Sequence, residues 1–237
     1  MYVASSAHWY ILEPRRHIKK ETTMTDHHMN KEYSGTKGKI IAWFMSSWLR
    51  ELFERVWLGE PFPKMVELLG LLGNETILDA GCGSGFYAIK LAHKVEQGKV
   101  IGVDSSPEML AAFKRRANKA IVAELTEARE GDITALPMDA DSVDRAFCAM
   151  VWHHIPDSLS AAREMHRVLK PGGVVVVADF HVAGPAKGTP GHTIHPSGKA
   201  FTQVEMRAIL EGAGFTNVST HIYRKLVMGR GEKNHLA

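Results

Sequence analysis

Three aspartates in this chain stand where an apolar run gives way to a turn, and each could hold a different part of one ligand. Asp79 lies in Ile77-Leu78-Asp79-Ala80-Gly81-Cys82-Gly83-Ser84-Gly85-Phe86, directly before three glycines at alternate positions. Glycines without Cβ atoms let a chain turn tightly and let a ligand lie against bare backbone. A helix that starts just after them offers free N–H groups. The third glycine comes one residue earlier than in the phosphate-binding Gly-x-Gly-x-x-Gly turn. A carboxylate at this place would repel a phosphate but suits a cationic or amine-bearing ligand, and a plain structural turn is the bland alternative. Asp104 closes Val100-Ile101-Gly102-Val103-Asp104, 19 residues after Gly85. An acid there can accept both hydroxyls of a ribose, and it also suits the start of the following helix; the two roles are compatible. Asp132, in Gly131-Asp132-Ile133, can accept from an exocyclic amino group while Ile133 packs on a base; a simple turn aspartate is the alternative. An amino-acid end, a ribose and an adenine together describe S-adenosylmethionine better than NAD.

These acids must be positioned by strands. Strand signals at Thr76–Asp79, Val100–Asp104, around Ala120–Arg129, at Asp144–Ala149 and at Val174–Asp179 alternate with helix signals at Tyr87–His93, Pro107–Asn118 and Ser158–Leu169. That alternation predicts an α/β fold with a parallel sheet covered on both faces. Ser106 before Pro107 reads as a helix N-cap, and Thr202-Gln203-Val204-Glu205 as a capping box opening a helix to Glu211. Phe215–His221 and Ile222–Val227 read as the last strands. Upstream, Lys39–Leu58 has helical spacing, with Ile41, Phe44, Met45, Trp48, Leu49, Leu52 and Val56 as its apolar face and Arg50, Glu51, Glu54 and Arg55 on other faces. A second short helix fits Pro63–Leu72, closed by Gly73. The expected organisation is a mobile N-terminal extension over 1–32, a helical lid or cap over 33–73, and a ligand-binding domain over 74–237.

The 237 residues are 45% hydrophobic and 23% charged, with a net charge of +3 and two cysteines, Cys82 and Cys148. Such a chain buries a core without disulfides, and its charge is too small to argue for nucleic acid. No apolar window of about 18 residues is present, and the first residues do not resemble a secretory signal. A cytoplasmic protein with no integral membrane segment is expected.

The segments ILDAGCGSGFYAIKLA, VIGVDSSPEML, GDITALPMDADSVDRAFCAMVWHHI and REMHRVLKPGGVVVVADF, in this order, resemble the class I S-adenosylmethionine-dependent methyltransferases, in the branch that includes small-molecule and ubiquinone/menaquinone-type enzymes. The resemblance covers residues 60 to 225. It implies a Rossmann-like, doubly wound, mostly parallel seven-stranded sheet with an N-terminal helical extension. It implies S-adenosylmethionine as cofactor, with Asp79, Gly81, Cys82, Gly83 and Gly85 around the methionine part. Asp104 would hold the ribose, flanked by Ser105 and Met109, and Asp132 and Ile133 would hold the adenine. Cys148 and Ala149 would approach the sulfonium. Leu169–Gly173 is expected to be a turn feeding the fifth strand.

Methyl transfer then requires an acceptor aligned behind the methyl group, and a base only where the acceptor must lose a proton. By topology His154 and His181 are the catalytic candidates, against a bland reading in which such rings pack or cap a loop. Tyr33, Trp43, Phe44, His153, His192 and His195 are the candidate substrate wall, and no metal site is expected. The expected partner is a small-molecule methyl acceptor. Two alternatives stay open: a lipid or quinone-precursor methyltransferase in peripheral contact with a membrane, and a regulator that binds S-adenosylmethionine without turnover.

Overall fold

A computed structural model describes residues 50, 52, 54–182 and 200–235. The mobile extension expected over 1–32, most of the cap over 33–73, and Tyr33, Trp43, Phe44, His192 and His195 lie outside the described residues. A seven-stranded sheet dominates what is described, in the order β3-β2-β1-β4-β5-β7-β6. The strands are β1 (Thr76–Ala80), β2 (Lys99–Asp104), β3 (Thr126–Glu130), β4 (Val143–Ala149), β5 (Leu169–Phe180), β6 (Thr216–Tyr223) and β7 (Leu226–Glu232). The first five run parallel; β7 pairs antiparallel with both β5 and β6. The helices are α1 (Phe62–Leu69), α2 (Phe86–Ala92), α3 (Pro107–Lys119), α4 (Ser158–Val168) and α5 (Gln203–Gly212). No helix among the described residues is long and apolar enough to cross a membrane.

Strand alternation explains why the sheet needs helices on both faces. Ile77 packs with α1, α2 and α3 side chains such as Leu69, Leu91 and Phe113. Its neighbour Leu78 joins Met165 of α4 and Leu210 of α5 on the other face. Each fully buried side chain of this size contributes about 2–3 kcal/mol. The expected caps are present: the Ser106 hydroxyl accepts from the Met109 N–H, and Thr202 and Glu205 form a reciprocal capping box. Strand order reverses between β1 and β4, and such a switch point opens a crevice at the carboxyl ends of the strands.

Four local expectations need correction. Helix α1 ends at Gly70, not Gly73: Gly70 adopts φ 61°, ψ 55°, and its N–H reaches the Val66 and Glu67 carbonyls. The segment 169–173 is the first part of β5, not a turn. It is held by pairing beyond β7, with the Gly172 N–H donating to Lys233 O at 2.8 Å and the Lys233 N–H to Gly173 O at 2.9 Å. The final strand begins at Leu226, because the chain reverses at Arg224, φ 52°. The fourth correction concerns the helix expected up to Leu58, which finishes in a π-turn over Glu54–Leu58. Arg50 and Glu54 are buried there, whereas Leu52, Val56 and Trp57 face outward. Polar residues take the inner face because aromatic rings and a lysine of α2 receive them: the Arg50 guanidinium lies 4.9 Å from the Phe86 ring centroid, and Lys90 Nζ 4.0 Å from Glu54.

Candidate active site

The carboxyl ends of β1 and β2 bring Asp79, the glycine turn and Asp104 together. Gly83 donates its N–H to Asp104 Oδ2 at 2.8 Å, and Ser106 donates its N–H to Oδ1 at 2.9 Å. Each oxygen is fixed by a backbone donor and keeps lone-pair capacity for another. Burial pushes the Asp104 carboxyl up, while the N–H groups of Ser106, Gly83 and Ser105 oppose that shift. Asp79 is more extreme. Its carboxyl is pushed up to about 7, first by burial and then by the charge of Asp104, with the Ala88 N–H pulling the other way. Its Oδ2 is buried and has no hydrogen-bond partner among the described residues. A carboxyl so placed is matched by a ligand that brings its own cationic donor.

The backbone beside these acids is shaped for contact. Gly83 has φ 52°, and a Cβ built there would meet nothing within 4 Å, so its open side is available to a ligand. Gly85 serves packing instead: at φ 76° its missing Cβ makes room for Phe113, whose ring would lie 2.1 Å from it. Cys82 is buried in the turn, its Sγ 3.7 Å from Gly83 O, with its thiol pushed well up by burial. Met109 is buried, its N–H bound to the Ser106 hydroxyl, and Ser105 is exposed. Asp132 Oδ1 accepts from both the N–H and the hydroxyl of Thr134, at 2.7 and 2.8 Å. The turn role is thus filled, and buried Ile133 sits beside it. An orphaned carboxyl oxygen, a bare backbone flank and a second acid with spare acceptor capacity fit an amino-acid end and a ribose.

The ends of β4 and β5 carry a different set. Cys148 is wholly buried in the core, its thiol pushed well up by burial, and only Ala149 belongs to the face shared with Cys82 and Phe86. Met150 follows with φ 58°, and its sulfur receives Arg50 Nη2 at 3.8 Å. The N-terminal helix is therefore tied to the tip of β4 and, through Phe86, to the first residue of α2.

His153 and His154 end a 3₁₀ turn over Trp152–His154, their rings 4.0 Å apart. His153 is buried and donates Nδ1–H to Asp179 Oδ1 at 2.8 Å and its backbone N–H to Oδ2 at 3.2 Å. The Phe180 N–H also donates to Oδ1. His181, just past β5, has Nδ1 3.2 Å from Phe201 O. Since a carbonyl can only accept, Nδ1 donates here, and in the neutral ring Nε2 carries the lone pair. Sequence reasoning missed Asp179 and the inward turn of Arg50. An acid ending an otherwise apolar Val174–Ala178 run was the available signal for Asp179. Among the described residues no group of three or more His, Cys, Asp or Glu could hold a metal ion.

Residues 78–177 match the protein-family model described as "Methyltransferase domain". The chain is 33% identical over 138 residues to 2-phytyl-1,4-naphtoquinone methyltransferase of Nostoc punctiforme, a match covering 58% of each chain. It is 37% identical over 109 residues to demethylmenaquinone methyltransferase of Oceanobacillus iheyensis, covering 46% of this chain and 45% of that one. The chain thus spans about half the length of these curated relatives. Among solved structures, a SAM-dependent methyltransferase from Aquifex aeolicus superposes with a TM-score of 0.62 at 26% identity, over 79% of this chain and 97% of that one.

Proposed function

We propose that this protein is a class I, S-adenosylmethionine-dependent methyltransferase that transfers a methyl group to a small aromatic acceptor of the quinol type, a reading supported by the match of residues 78–177 to the methyltransferase-domain model and by the likeness to the Aquifex aeolicus enzyme. The observation that carries this reading is the buried Asp79 carboxyl with an orphaned oxygen, next to the open flank of Gly83 and to Asp104. An α-ammonium at Asp79 and ribose hydroxyls at Asp104 would use the capacity that the fold leaves over. Asp132 and Ile133 would flank the adenine, and Ser105 and Met109 the ribose. The acceptor class is supported by the likeness to the two quinone-methylating enzymes.

When bound, S-adenosylmethionine would supply an activated methyl on a sulfonium, for an acceptor to attack in line with the departing sulfur, which keeps the bonding pair. The chain's part is to orient and to exclude water. Asp79 would hold the cofactor's amino-acid end and Asp104 its ribose at the β1 and β2 tips, and Ala149 and Met150 at the tip of β4 would flank the acceptor side. His181, neutral and donating at Nδ1, would accept the acceptor's proton at Nε2. His154 would wall the same rim, with His153 held behind it by Asp179. A cytoplasmic location belongs to this reading.

Calorimetry with S-adenosylmethionine, S-adenosylhomocysteine and NAD tests the cofactor. Micromolar binding of the first two with none of the third is expected; the reverse preference removes the reading. Incubation with S-adenosylmethionine and a reduced naphthoquinone should yield methylated product. Tight cofactor binding without product from any phenol, amine, thiol or quinol would favour a regulator instead.

A further inference from the structure

The outward face of the helix that ends at Leu58 has no function in the reading above, yet it exposes three large apolar side chains. Leu52 is 46% exposed, Val56 63% and Trp57 49%. Residues 52 and 56 are one helical turn apart and share a face. The turn between β6 and β7 lies against this helix end. Lys225 Nζ sits 3.4 Å from the centroid of the Trp57 ring, and the Tyr223 hydroxyl donates to Gly59 O at 2.6 Å. Both pieces are thereby held in one surface.

Charge around this surface is mainly positive. Arg224 and Lys225 are exposed at the tip of the turn, and Arg55 is exposed beside Trp57. Glu60, which pairs with Arg55 at 3.1 Å, is the acid of the group. An aliphatic pair, a half-exposed indole and an ammonium stacked on it suit the boundary between acyl chains and headgroups. Excess basic charge beside them favours anionic headgroups. The position adds a second argument. Phe180 pairs with Leu226, and His181 donates its N–H to Lys225 O at 2.8 Å. The basic tip therefore sits over the carboxyl end of β5, on the rim assigned to the acceptor.

We propose that Leu52, Val56, Trp57 and Lys225 form a docking surface for an anionic lipid bilayer, which sets the acceptor rim against the membrane. Docking itself follows from the exposed groups and their charge. Delivery of a lipid-soluble acceptor through it rests on the methyl-transfer reading. The inward-facing Arg50 and Glu54 explain how a helix with mixed charge can serve: they are packed against α2, and the bilayer meets the opposite face.

The test is co-sedimentation of the full-length protein with phosphatidylcholine vesicles, with and without phosphatidylglycerol. Binding is expected only with the anionic lipid and should weaken as salt rises. Val56→Ser, Trp57→Ser and Lys225→Glu should each reduce it, and the triple variant by more than about tenfold. Thermal melts and S-adenosylhomocysteine affinity serve as controls, and Val56→Ser, the most exposed change, keeps the test decisive if Trp57→Ser disturbs the helix. Equal sedimentation of wild type and triple variant, or none at all, overturns the proposal. So does a fall in solution mass of the triple variant, which would make the surface a contact between copies. Because these readouts need no turnover, loss of docking and failure of the methyl-transfer reading are separable.

Discussion

The two halves of the sheet's carboxyl edge carry similar residue types in opposite states of satisfaction. At β1 and β2, Asp79 keeps a buried oxygen without a partner among the described residues, and Gly83 presents open backbone. At β4 and β5, both Asp179 oxygens accept from within the fold, from His153 and Phe180, and His181 is tied to Phe201 O. One half holds unspent polar capacity, which has meaning only if a ligand supplies the missing groups. In the other, the acid is turned inward onto the protein's own donors, although the Trp152 indole N–H there is also buried without a partner among the described residues. A cofactor common to many enzymes calls for the first arrangement, and an acceptor that varies among them is compatible with the second.

The sharpest way to break this contrast is to remove Asp104. Asp104→Ala should weaken S-adenosylhomocysteine binding roughly 100-fold, the cost of two hydrogen bonds to a charged group. Calorimetry checks it, and unchanged affinity would remove the ribose assignment. The matching change in the other half is Asp179→Asn. It should lower unfolding free energy by about 2 kcal/mol, since His153 loses its charged acceptor in a dry site, while cofactor affinity stays within about threefold, because additivity holds for separate sites. Urea titration and calorimetry together decide. Equal losses of affinity from Asp104→Ala and Asp179→Asn would mean that the halves are one network.

That difference in satisfaction also explains what could be read in advance. Asp79, the glycines and Asp104 were legible because local sequence does all the work: a strand end, a turn that needs positive φ, and a second strand end at a fixed interval. The seven-stranded α/β sheet was legible for a similar reason, through the apolar runs and their caps at Ser106 and Thr202. Long-range contacts were not. Residues 169–173 carry turn-forming types, and only the partner strand near Lys233 makes them extended. Arg50 and Glu54 look like solvent-facing residues until Phe86, Tyr87 and Lys90 are brought beneath them. Asp179 reads as the ragged end of a strand until His153, 26 positions earlier, is folded back onto it.

The unspent carboxyl of Asp79 should also announce itself through pH. Its folded-state value of about 7 lies above the ordinary 3.8. An ammonium ligand needs the ionised form, so binding must expel the proton at low pH. Affinity for S-adenosylhomocysteine should be flat just above pH 7 and fall below it, by at most about tenfold per unit. The same group destabilises the ligand-free protein as pH rises from about 4 to 7, since the unfolded chain ionises first. Asp79→Asn should flatten both profiles. A slope that survives the substitution would assign the proton to another group.

Gly83→Ala is the mildest change and the most local one. Against a left-handed backbone it should cost about 1 kcal/mol of stability, with no clash, because a Cβ there meets nothing within 4 Å. Gly85→Ala, by contrast, drives a methyl into Phe113 and should cost more. If a cofactor does lie against the open flank of Gly83, the added methyl should lower its affinity several-fold beyond the effect on folding. An affinity left untouched while stability falls would mean that the flank faces solvent alone, and the unspent capacity of this half would then reduce to Asp79 and Asp104.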